Sequence, residues 1–392
     1  MIKFLLYSTA LLCLLTQAGC ERTEAALSDE TESVQTKAVK AETSPPAPSR
    51  LARETKAGIT PVKTLAPPTK APVKTAEVKP LAQHKPAVTP FHVKRCMNMG
   101  NALEAPNEGD WGYRIRAKDF RTIAAAGFDT VRIPIRWDAH TDRRPPYQIE
   151  PRFMARVKRV VSDAKAAGLG VIIDVHHYED LMTHTNREEP RFLAIWDQIG
   201  RAFSNAGSKV YFEALNEPTL DITPERLNAL YAKVVPVIRR TNPSRKIIIG
   251  GYSWNSVEAL ASVKWPKDAN LVATFHDYGP HEFTHQGAEW MSPVKPMGRR
   301  WGRRADMADL KDTYKIAKAF KARTGLPILV GEFGVIDKVP QEERNQWIKS
   351  RRQTIEAAGY SWCAWDFSGA FKSYDTTTER WAPGLIAALV GQ

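Results

Sequence analysis

Between residues 93 and 392 the chain alternates short apolar runs with stretches of helical periodicity, among them PRFMARVKRVVSDAKAAG (151–168) and RNQWIKSRRQTIEAAG (344–359). The apolar runs are CMNMGNAL (96–103), TVRIPI (130–135), GVIIDVHHY (170–178), KVYFEALNEP (209–218), KIIIGG (246–251), LVATFHDY (271–278), PILVGEFG (327–334) and SWCAWDF (361–367). Near-continuous apolar strands are typical of buried parallel sheets. Eight strand–helix alternations therefore predict an α/β fold, a (β/α)8 TIM barrel.

A doubly wound open sheet is the alternative fold for such an alternation. That fold would place a glycine-rich phosphate-binding turn directly after its first strand. No such turn follows residues 96–103. The barrel is the favoured prediction.

The apolar runs end in polar and aromatic residues, many of them of types that are uncommon in a hydrophobic core. In YFEALNEPT the apolar residues extend to Leu215 and are followed by Asn216, Glu217 and Pro218, where the proline marks the end of the strand. The predicted strand ends carry, in chain order, Asn101 and Glu104, Arg132 and Pro134, His176 and His177, Asn216 and Glu217, Trp254, His276 and Tyr278, Glu332, and Trp365. Because active sites in such barrels lie at the C-terminal ends of the strands, we predict that these side chains line one site.

Two of these strand-end residues are glutamates, Glu217 and Glu332, on the fourth and seventh runs. Glycosidic bond cleavage needs one protonated carboxyl for the leaving oxygen and one ionised carboxylate that attacks the anomeric carbon or activates water. A carboxyl separation of about 5–5.5 Å predicts retention of configuration, and about 6.5–9.5 Å predicts inversion. We expect Arg132 to keep one carboxylate ionised and the neighbouring negative charge to raise the pKa of Glu217.

Residues 1–20 have the features of an export signal, with an apolar run at 4–15 that is too short for a confident membrane span. The run ends in TQAGC, which resembles a bacterial lipoprotein signal whose cysteine, here Cys20, becomes lipidated. Plain secretion after cleavage near Ala18 or Gly19 is the alternative. We expect an exported protein, either a lipoprotein of the outer membrane or cell envelope or a secreted one.

Residues 21–92 are predicted to form a disordered linker before a catalytic domain at 93–392. Ten prolines fall between residues 45 and 90, mixed mainly with Ala, Thr, Lys and Val. A segment of this composition cannot bury enough apolar area to offset the entropy of ordering it. We expect it to act as an extended tether.

The chain has a formal net charge of +13, which makes nucleic acid a partner to consider. No nucleic-acid-binding module signature is present, so we expect no nucleic-acid partner. The densest basic segment, GRRWGRR (298–304), contains Arg299, Arg300, Arg303 and Arg304. Attraction of an acidic polysaccharide and simple solvation both remain open for it, and solvation is favoured.

Cys96 and Cys363 fall in the first and last predicted strands, which become neighbours when a barrel closes. A disulfide is therefore open to them in an oxidising compartment. Two independent buried thiols are the favoured expectation, because small cysteine side chains fit cores well.

Six segments together resemble glycoside hydrolase family five, the large retaining family of clan A. They are GNALEAPNEGDWG (100–112), VRIPIRW (131–137), HHYEDLM (176–182), LNEP (215–218), EFTHQGAEW (282–290) and GEFG (331–334). The likeness extends over residues 95–392 and is greatest to bacterial endo-β-1,4-glucanases, including enzymes that cleave both β-1,4-glucan and β-1,4-mannan.

The resemblance implies that Glu217 is the general acid/base and Glu332 the nucleophile, steadied by Tyr278 and Arg132. Substrate contacts are implied for Asn216 at the sugar 2-hydroxyl, for Trp365 as a stacking floor, for His176, His177 and His276 at sugar hydroxyls, and for Asn101, Glu104, His285 and Trp290 at further sugar units. Asp277 and Gly279 depart from the relatives, which often carry an aromatic residue and an asparagine there.

The expected activity is therefore that of a retaining endo-β-1,4-glucanase, a cellulase, with an endo-β-1,4-mannanase or a dual enzyme as the alternative. We expect a β-linked polysaccharide or oligosaccharide as substrate, no cofactor, a monomer, and membrane association only through a lipid at Cys20.

Three other classes of protein are alternatives for this sequence. A metal-dependent hydrolase built on His176, His177 and His276 is disfavoured, because adjacent histidines in a strand point to opposite sides. A non-catalytic glycan-binding protein on the same barrel is disfavoured because both glutamates are present. A Schiff-base aldolase is disfavoured because no lysine ends a predicted strand.

Overall fold

The computed structural model describes residues 87–391, and within them eight parallel strands close into a barrel. The strands are β1 (Arg95–Asn98), β2 (Thr130–Ile133), β3 (Gly170–Asp174), β4 (Val210–Glu213), β5 (Ile247–Gly250), β6 (Leu271–His276), β7 (Ile328–Phe333) and β8 (Ser361–Ala364). Each strand pairs with the next along the chain, and β8 pairs with β1. The predicted (β/α)8 barrel is confirmed.

Helices surround the barrel. They are α1 (Ala117–Ala125), α2 (Pro151–Ala166), α3 (Glu179–Thr183), α4 (Thr185–Ala202), α5 (Pro224–Arg239), α6 (Tyr252–Asn255), α7 (His281–Thr284), α8 (Arg304–Thr324), α9 (Gln341–Ala357) and α10 (Leu385–Val390). Short 3₁₀ turns occupy Trp137–His140 and Glu258–Ser262, and a two-stranded ribbon of β9 (Tyr374–Asp375) and β10 (Arg380–Trp381) follows β8. No helix within the described range is long and apolar enough to cross a bilayer.

The side chains inside the barrel form layers, because alternate residues of a strand point to the same side. The lower layer is apolar and consists of Cys96, Ile172, Tyr211, Ile248, Val272, Leu329 and Cys363, closed below by Val93. Further toward the C-terminal ends of their strands, Asn98, Arg132, Asp174 and Glu213 form a polar layer that is fully buried. The candidate site stands on this polar layer.

Cys96 and Cys363 form a disulfide inside the barrel, with their Cα atoms 4.1 Å apart. The favoured expectation of two independent thiols is therefore wrong. The register of the β1–β8 seam places the two residues directly opposite each other, so both side chains enter the same apolar layer. Sequence alone indicated that the strands were neighbours but not that these two residues were in register.

Residues 87–92, the last part of the predicted linker, contact the N-terminal ends of the strands. Thr89 bonds to the carbonyl of Ser244 and the side chain of Asn270, at 2.7 and 2.8 Å. Phe91 packs edge-on against Tyr211 of the lower layer, with ring centroids 5.1 Å apart. The signal at 1–20 and linker residues 21–86 lie outside the described residues and stay predictions.

Candidate active site

Arg132 on β2 is the electrostatic centre of the polar layer. Its guanidinium is fully buried and donates to Glu213 at 2.6 Å, to Glu332 at 2.8 Å and to the amide oxygen of Asn216 at 2.7 Å. It also forms an ion pair with Asp174 at 2.9 Å. A planar guanidinium with five donors suits such a site, because it orients several carboxylates at once.

Glu332 reaches the barrel mouth through a β-bulge in β7. Phe275 pairs with Val330, but the next residue, His276, pairs with Glu332, so Gly331 is the extra residue. A bulge of this kind reverses the alternation of side chains and re-aims the residue that follows. A Cβ at Gly331 would lie 2.7 Å from the Thr274 hydroxyl, which excludes larger residues there.

Hydrogen bonds fix the Glu332 carboxylate from two sides. Arg132 donates to Oε1, and the Tyr278 hydroxyl donates to Oε2 at 2.8 Å. The Glu332 side chain is 6% exposed, so its ionised form depends on these donors. This arrangement favours a carboxylate that is both charged and immobile.

Glu217 follows β4 and enters the mouth because its backbone is left-handed, with φ at +44°. Neighbouring residues in a strand would point to opposite sides, but this conformation lets Asn216 and Glu217 both face inward. The Glu217 carboxylate lies 2.7 Å from Nδ1 of His276, and its side chain is 28% exposed. Of the two glutamates, Glu217 is therefore the one more open to the cleft.

Oxygen atoms of Glu217 and Glu332 and the Nδ1 atom of His276 all lie within 4.8 Å of one another. One nitrogen and two carboxylate oxygens are also a donor set that could hold a divalent ion. The same oxygens are the ones that glycosidic chemistry would use, so the two uses would compete for the same atoms.

Burial raises the pKa of Glu217 to about 7, and the charge of Glu213 adds to the effect. Burial also raises the pKa of Glu332 to about 7, and the charge of Glu217 contributes. Only Glu332 accepts hydrogen bonds from both Arg132 and Tyr278, which favour its ionised form. When the pair carries one proton, Glu217 is therefore the residue that holds it.

Burial lowers the pKa of the His276 and His176 imidazoles, which favours their neutral forms. A neutral His276 serves Glu217 in either protonation state, since its ring nitrogen either donates or accepts according to the tautomer. His176 lies 2.7 Å from Asp174 through Nδ1 and stacks parallel to Trp365, with centroids 5.9 Å apart. Trp365 and His176 thus form one wall of the cleft.

His176 and His177 do not point to opposite sides, and that argument against a metal site was wrong. Both residues follow the end of β3, and His177 has a left-handed φ of +52°. Their rings lie 4.5 Å apart, and the His177 ring meets Trp111 edge-on at 5.8 Å. Among residues 87–391, the side chains spaced to hold a metal ion are not these two but the Glu217, His276 and Glu332 group.

Two of the remaining predicted residues, His285 and Trp290, belong to a group of aromatic rings. His285 packs against Tyr278 and Phe371, with ring centroids 4.9 and 5.1 Å apart, and Trp290, 60% exposed, lies 6.3 Å from Phe371. These aromatic rings continue the cleft away from Glu332.

Asn101 and Glu104 belong to the β1–α1 loop, where Glu104 is buried. Both Glu104 oxygens accept backbone N–H bonds, one from Asn101 and one from Ala102 at 2.9 Å. Burial raises the pKa of Glu104 to about 8. Glu104 therefore holds the loop through these hydrogen bonds, and the sugar contact implied for it stays a prediction.

The residues that sequence reasoning missed are Asn98, Asp174, Glu213 and Asn255. The first three are polar residues inside apolar strands, RCMN, GVIID and VYFE, where an unpaired charge would be costly. That signal was available in the sequence. Asn255, whose amide lies 3.4 Å from Nε2 of His276, comes from a left-handed turn that no sequence pattern announced.

A closed parallel barrel with two carboxyls across its C-terminal mouth is the arrangement of the barrel glycosidases. The family model described as cellulase (glycosyl hydrolase family 5) matches residues 94–371. The chain belongs to glycoside hydrolase family 5.

Similar proteins include Endoglucanase H of Acetivibrio thermocellus, 37% identical over 293 residues. This alignment covers 74% of the chain and 31% of that relative, so the chain spans about a third of its length. Among solved structures, Cel5A of Thermotoga maritima in complex with cellobiose is 41% identical, with a TM-score of 0.75 over 76% of this chain and 97% of that one. The same protein in complex with mannotriose is 40% identical, with the same TM-score and coverage.

Proposed function

We propose that this protein is a retaining endo-β-1,4-glucanase that acts by double displacement. The observation that carries the proposal is the separation of the Glu217 and Glu332 oxygens, within 4.8 Å across the mouth. Inverting enzymes need about 6.5–9.5 Å to admit a water molecule between their carboxyls. The likeness to endoglucanases in the family supports cellulose or mixed-linkage glucan as the substrate.

In the first step an oxygen of Glu332 attacks the anomeric carbon and forms an ester as the glycosidic C–O bond breaks. The proton of Glu217 passes to the leaving oxygen, so no free alkoxide forms. Once Glu332 is esterified its negative charge is gone, which lowers the pKa of Glu217. In the second step Glu217 takes a proton from water, the hydroxide attacks the same carbon, and Glu332 is released as a carboxylate.

Asn216 is suited to the sugar 2-hydroxyl because Arg132 fixes its orientation. A guanidinium has only donors, so the amide oxygen must face Arg132, at 2.7 Å, and the NH₂ group faces away from it. A hydrogen bond to the sugar 2-hydroxyl becomes stronger as the oxocarbenium-like transition state forms. Trp365, stacked on His176, supplies the flat apolar surface on which a sugar ring packs.

The test compares wild type with Glu217→Gln and Glu332→Gln on carboxymethylcellulose, barley glucan, glucomannan and xylan, with reducing ends as the readout. Glu217→Gln should lower kcat/KM about 10²–10⁴-fold, and Glu332→Gln at least as much. Glu342→Gln, on the exposed first turn of α9, is the matched control and should retain wild-type rates. Proton NMR of the first product should show the β anomer.

Wild-type protein that binds glucan but releases no reducing ends would instead identify a glycan-binding protein. Loss of activity in a chelator would identify a metal-dependent enzyme. The proposal requires full activity in the chelator.

Mannan is the second candidate substrate, favoured by the solved complex of Thermotoga maritima Cel5A with mannotriose. The two sugars differ in the orientation of one hydroxyl, a difference that binding pockets discriminate by about 1–3 kcal/mol. Pure β-1,4-mannan assayed beside barley glucan separates a glucanase from a dual enzyme.

Export forms the other part of the proposal. The sequence at residues 1–20 supports an exported protein with a lipid at Cys20 and a linker from residue 21. A lipid-anchored, monomeric enzyme of the cell envelope is the form we propose, with a β-linked polysaccharide as its partner.

A further inference from the structure

Tyr278, which donates to Glu332, is flanked by two residues that are held from outside the barrel. The carboxylate of Asp277, 4% exposed, points away from the mouth and accepts the Tyr314 hydroxyl of α8 at 2.9 Å. The carbonyl of Gly279 accepts Trp347 Nε1 of α9 at 3.0 Å and also the Arg351 guanidinium of α9. The backbone on both sides of Tyr278 is therefore tied to two helices.

Arg351 links these two attachments. It is fully buried, its Nε atom lies 3.6 Å from the Asp277 carboxylate, and its guanidinium carbon lies 5.0 Å from the Trp347 ring centre. Within the described residues, its Nε and Nη1 atoms have no hydrogen-bond partner. Arg351 therefore contacts both residues that flank Tyr278, the carboxylate of Asp277 and the carbonyl of Gly279.

Gly279 lies against the side chains of Asp309 and Arg351. A Cβ at this position would lie 2.5 Å from the Asp309 carboxylate and 3.2 Å from the Arg351 guanidinium. The Asp277 backbone N–H also donates to the carbonyl of Glu332 at 2.9 Å. The backbone next to Tyr278 is thus hydrogen-bonded directly to Glu332, the residue whose carboxylate Tyr278 contacts.

We name Asp277, Tyr314 and Arg351 the outer clamp. We propose that the outer clamp positions the Tyr278 hydroxyl against Glu332 and thereby keeps Glu332 in its nucleophilic form. The inference rests on the proposed function, and it assigns a catalytic purpose to three residues that do not touch the cleft. They are positioning residues, because they act only through Tyr278.

Other charged and titratable groups face Glu332 and Asp277, and those that face Glu332 also influence its pKa. Those facing Glu332 are Arg132 of β2, Glu217 after β4, His276 of β6 and Tyr278. Tyr314 of α8, Arg351 of α9 and His281 of α7 lie near Asp277. Asp309 of α8 faces Arg351. Tyr314→Phe leaves all of these charges in place, whereas Asp277→Asn also removes the negative charge that faces Arg351 and His281.

The experiment measures kcat/KM against pH with 2,4-dinitrophenyl β-cellobioside, whose leaving group needs no protonation, so that the acid limb reports Glu332. Tyr314→Phe and Asp277→Asn should move the acid limb upward by about half a pH unit and lower kcat several-fold, because a hydrogen bond to Glu332 is weakened. KM should change by less than about twofold, since the clamp makes no contact with substrate.

The decisive comparison repeats both substitutions in a Tyr278→Phe background. If the outer clamp acts through the Tyr278 hydroxyl, neither substitution moves the acid limb further once that hydroxyl is absent. Equal shifts in the two backgrounds, or no shift in an active enzyme, would overturn the inference. Tyr314→Phe removes a single oxygen and is the milder variant if Asp277→Asn fails to fold.

Tyr113→Phe is the matched control. Its hydroxyl donates to the buried Asp119 at 2.9 Å, the same kind of bond at the same length as that of Tyr314. It should lower the thermal midpoint comparably and leave the acid limb in place. A wild-type protein inert on every β-glucan would remove the proposed function itself, which is a different outcome from an active enzyme with an unmoved pH profile.

Discussion

Left-handed backbone at non-glycine residues after the strands brings several polar side chains into the candidate site. Asn101, His177, Glu217 and Asn255 have φ values of +64°, +52°, +44° and +55°, and each follows a different strand. Non-glycine residues in this region are strained and cluster at functional sites. Here the conformation breaks the alternation of the strand, so consecutive polar residues face the same cavity.

A stability prediction follows from the raised pKa of Glu217. The pKa moves from its usual 4.5 to about 7 on folding, so the contribution of this group is fully present below pH 4.5 and is lost as the pH rises through 7. Glu217→Gln removes this penalty and also relieves Glu332 of a like charge. The thermal midpoint of the variant should match wild type at pH 4 and exceed it increasingly between pH 4.5 and 7.

Differential scanning fluorimetry at pH 4, 6 and 8 measures this difference. Glu342→Gln on the surface should give a constant difference across the same range. A Glu217→Gln midpoint equal to that of wild type at pH 8 would contradict the assigned burial cost.

At the scale of elements, the disulfide joins the first and last strands of the barrel. Cys96 and Cys363 are separated by 267 residues, and cross-links that close long loops restrict the unfolded chain most. Replacing both cysteines by alanine should lower the free energy of unfolding by about 2–4 kcal/mol. Guanidinium unfolding of the oxidised wild type and of the double variant measures the loss.

The double variant should also be insensitive to a reductant that destabilises the wild type. Identical unfolding curves for the oxidised wild type and the double variant would mean that the two thiols are independent in solution.

The barrel strands were accessible from the sequence, since β2 to β8 fall within the predicted apolar runs and β1 begins one residue before its run, at Arg95. β4, for instance, occupies Val210–Glu213 inside the run 209–218, and α2 occupies Pro151–Ala166 inside 151–168. Helix ends were also readable, because Gly168 and Gly359 adopt left-handed conformations just after α2 and α9. The spacing of apolar residues along the chain indicates which face of each segment is buried, and that spacing differs between helices and strands.

Details that depend on register were not accessible. The bulge at Gly331 re-aims Glu332, and the pairing of Cys96 with Cys363 depends on how β1 and β8 align. Both are properties of strand pairs far apart in the sequence. Glu217 and Glu332 were still identifiable, because the barrel fold alone predicts that strand ends meet at one site. The outer clamp was not predictable, because its contacts depend on where helices α8 and α9 pack.

At the scale of the whole molecule, the chain has a net charge of +13, and the basic segment 298–304 in the barrel domain is partly paired. In the basic segment, Arg299 pairs with Asp306 and Arg300 lies 3.1 Å from Glu343, whereas Arg303 and Arg304 are exposed. The Arg299–Asp306 pair is largely buried, whereas Arg300 is exposed, and a pair with such an exposed partner contributes about 0–1 kcal/mol. The solvated interpretation of this segment stays the favoured one.

The export proposal is tested on the full chain expressed in a bacterium that processes lipoproteins. Wild type should partition with the membrane fraction, and Cys20→Ala should move to the soluble exported fraction with unchanged specific activity. Wild type found in the soluble fraction would favour plain secretion near Ala18 or Gly19 instead.

The contacts of residues 87–93 determine where anything upstream joins the barrel. Thr89 and Phe91 contact the beginnings of the strands, whereas Glu217 and Glu332 lie at the opposite, C-terminal ends of β4 and β7. A tag or binding module fused ahead of Ala87 would therefore attach on the reverse side from the cleft. Immobilising the enzyme through such a fusion leaves its entrance open to a long polymer, while a loop insertion after β4 or β7 would obstruct it.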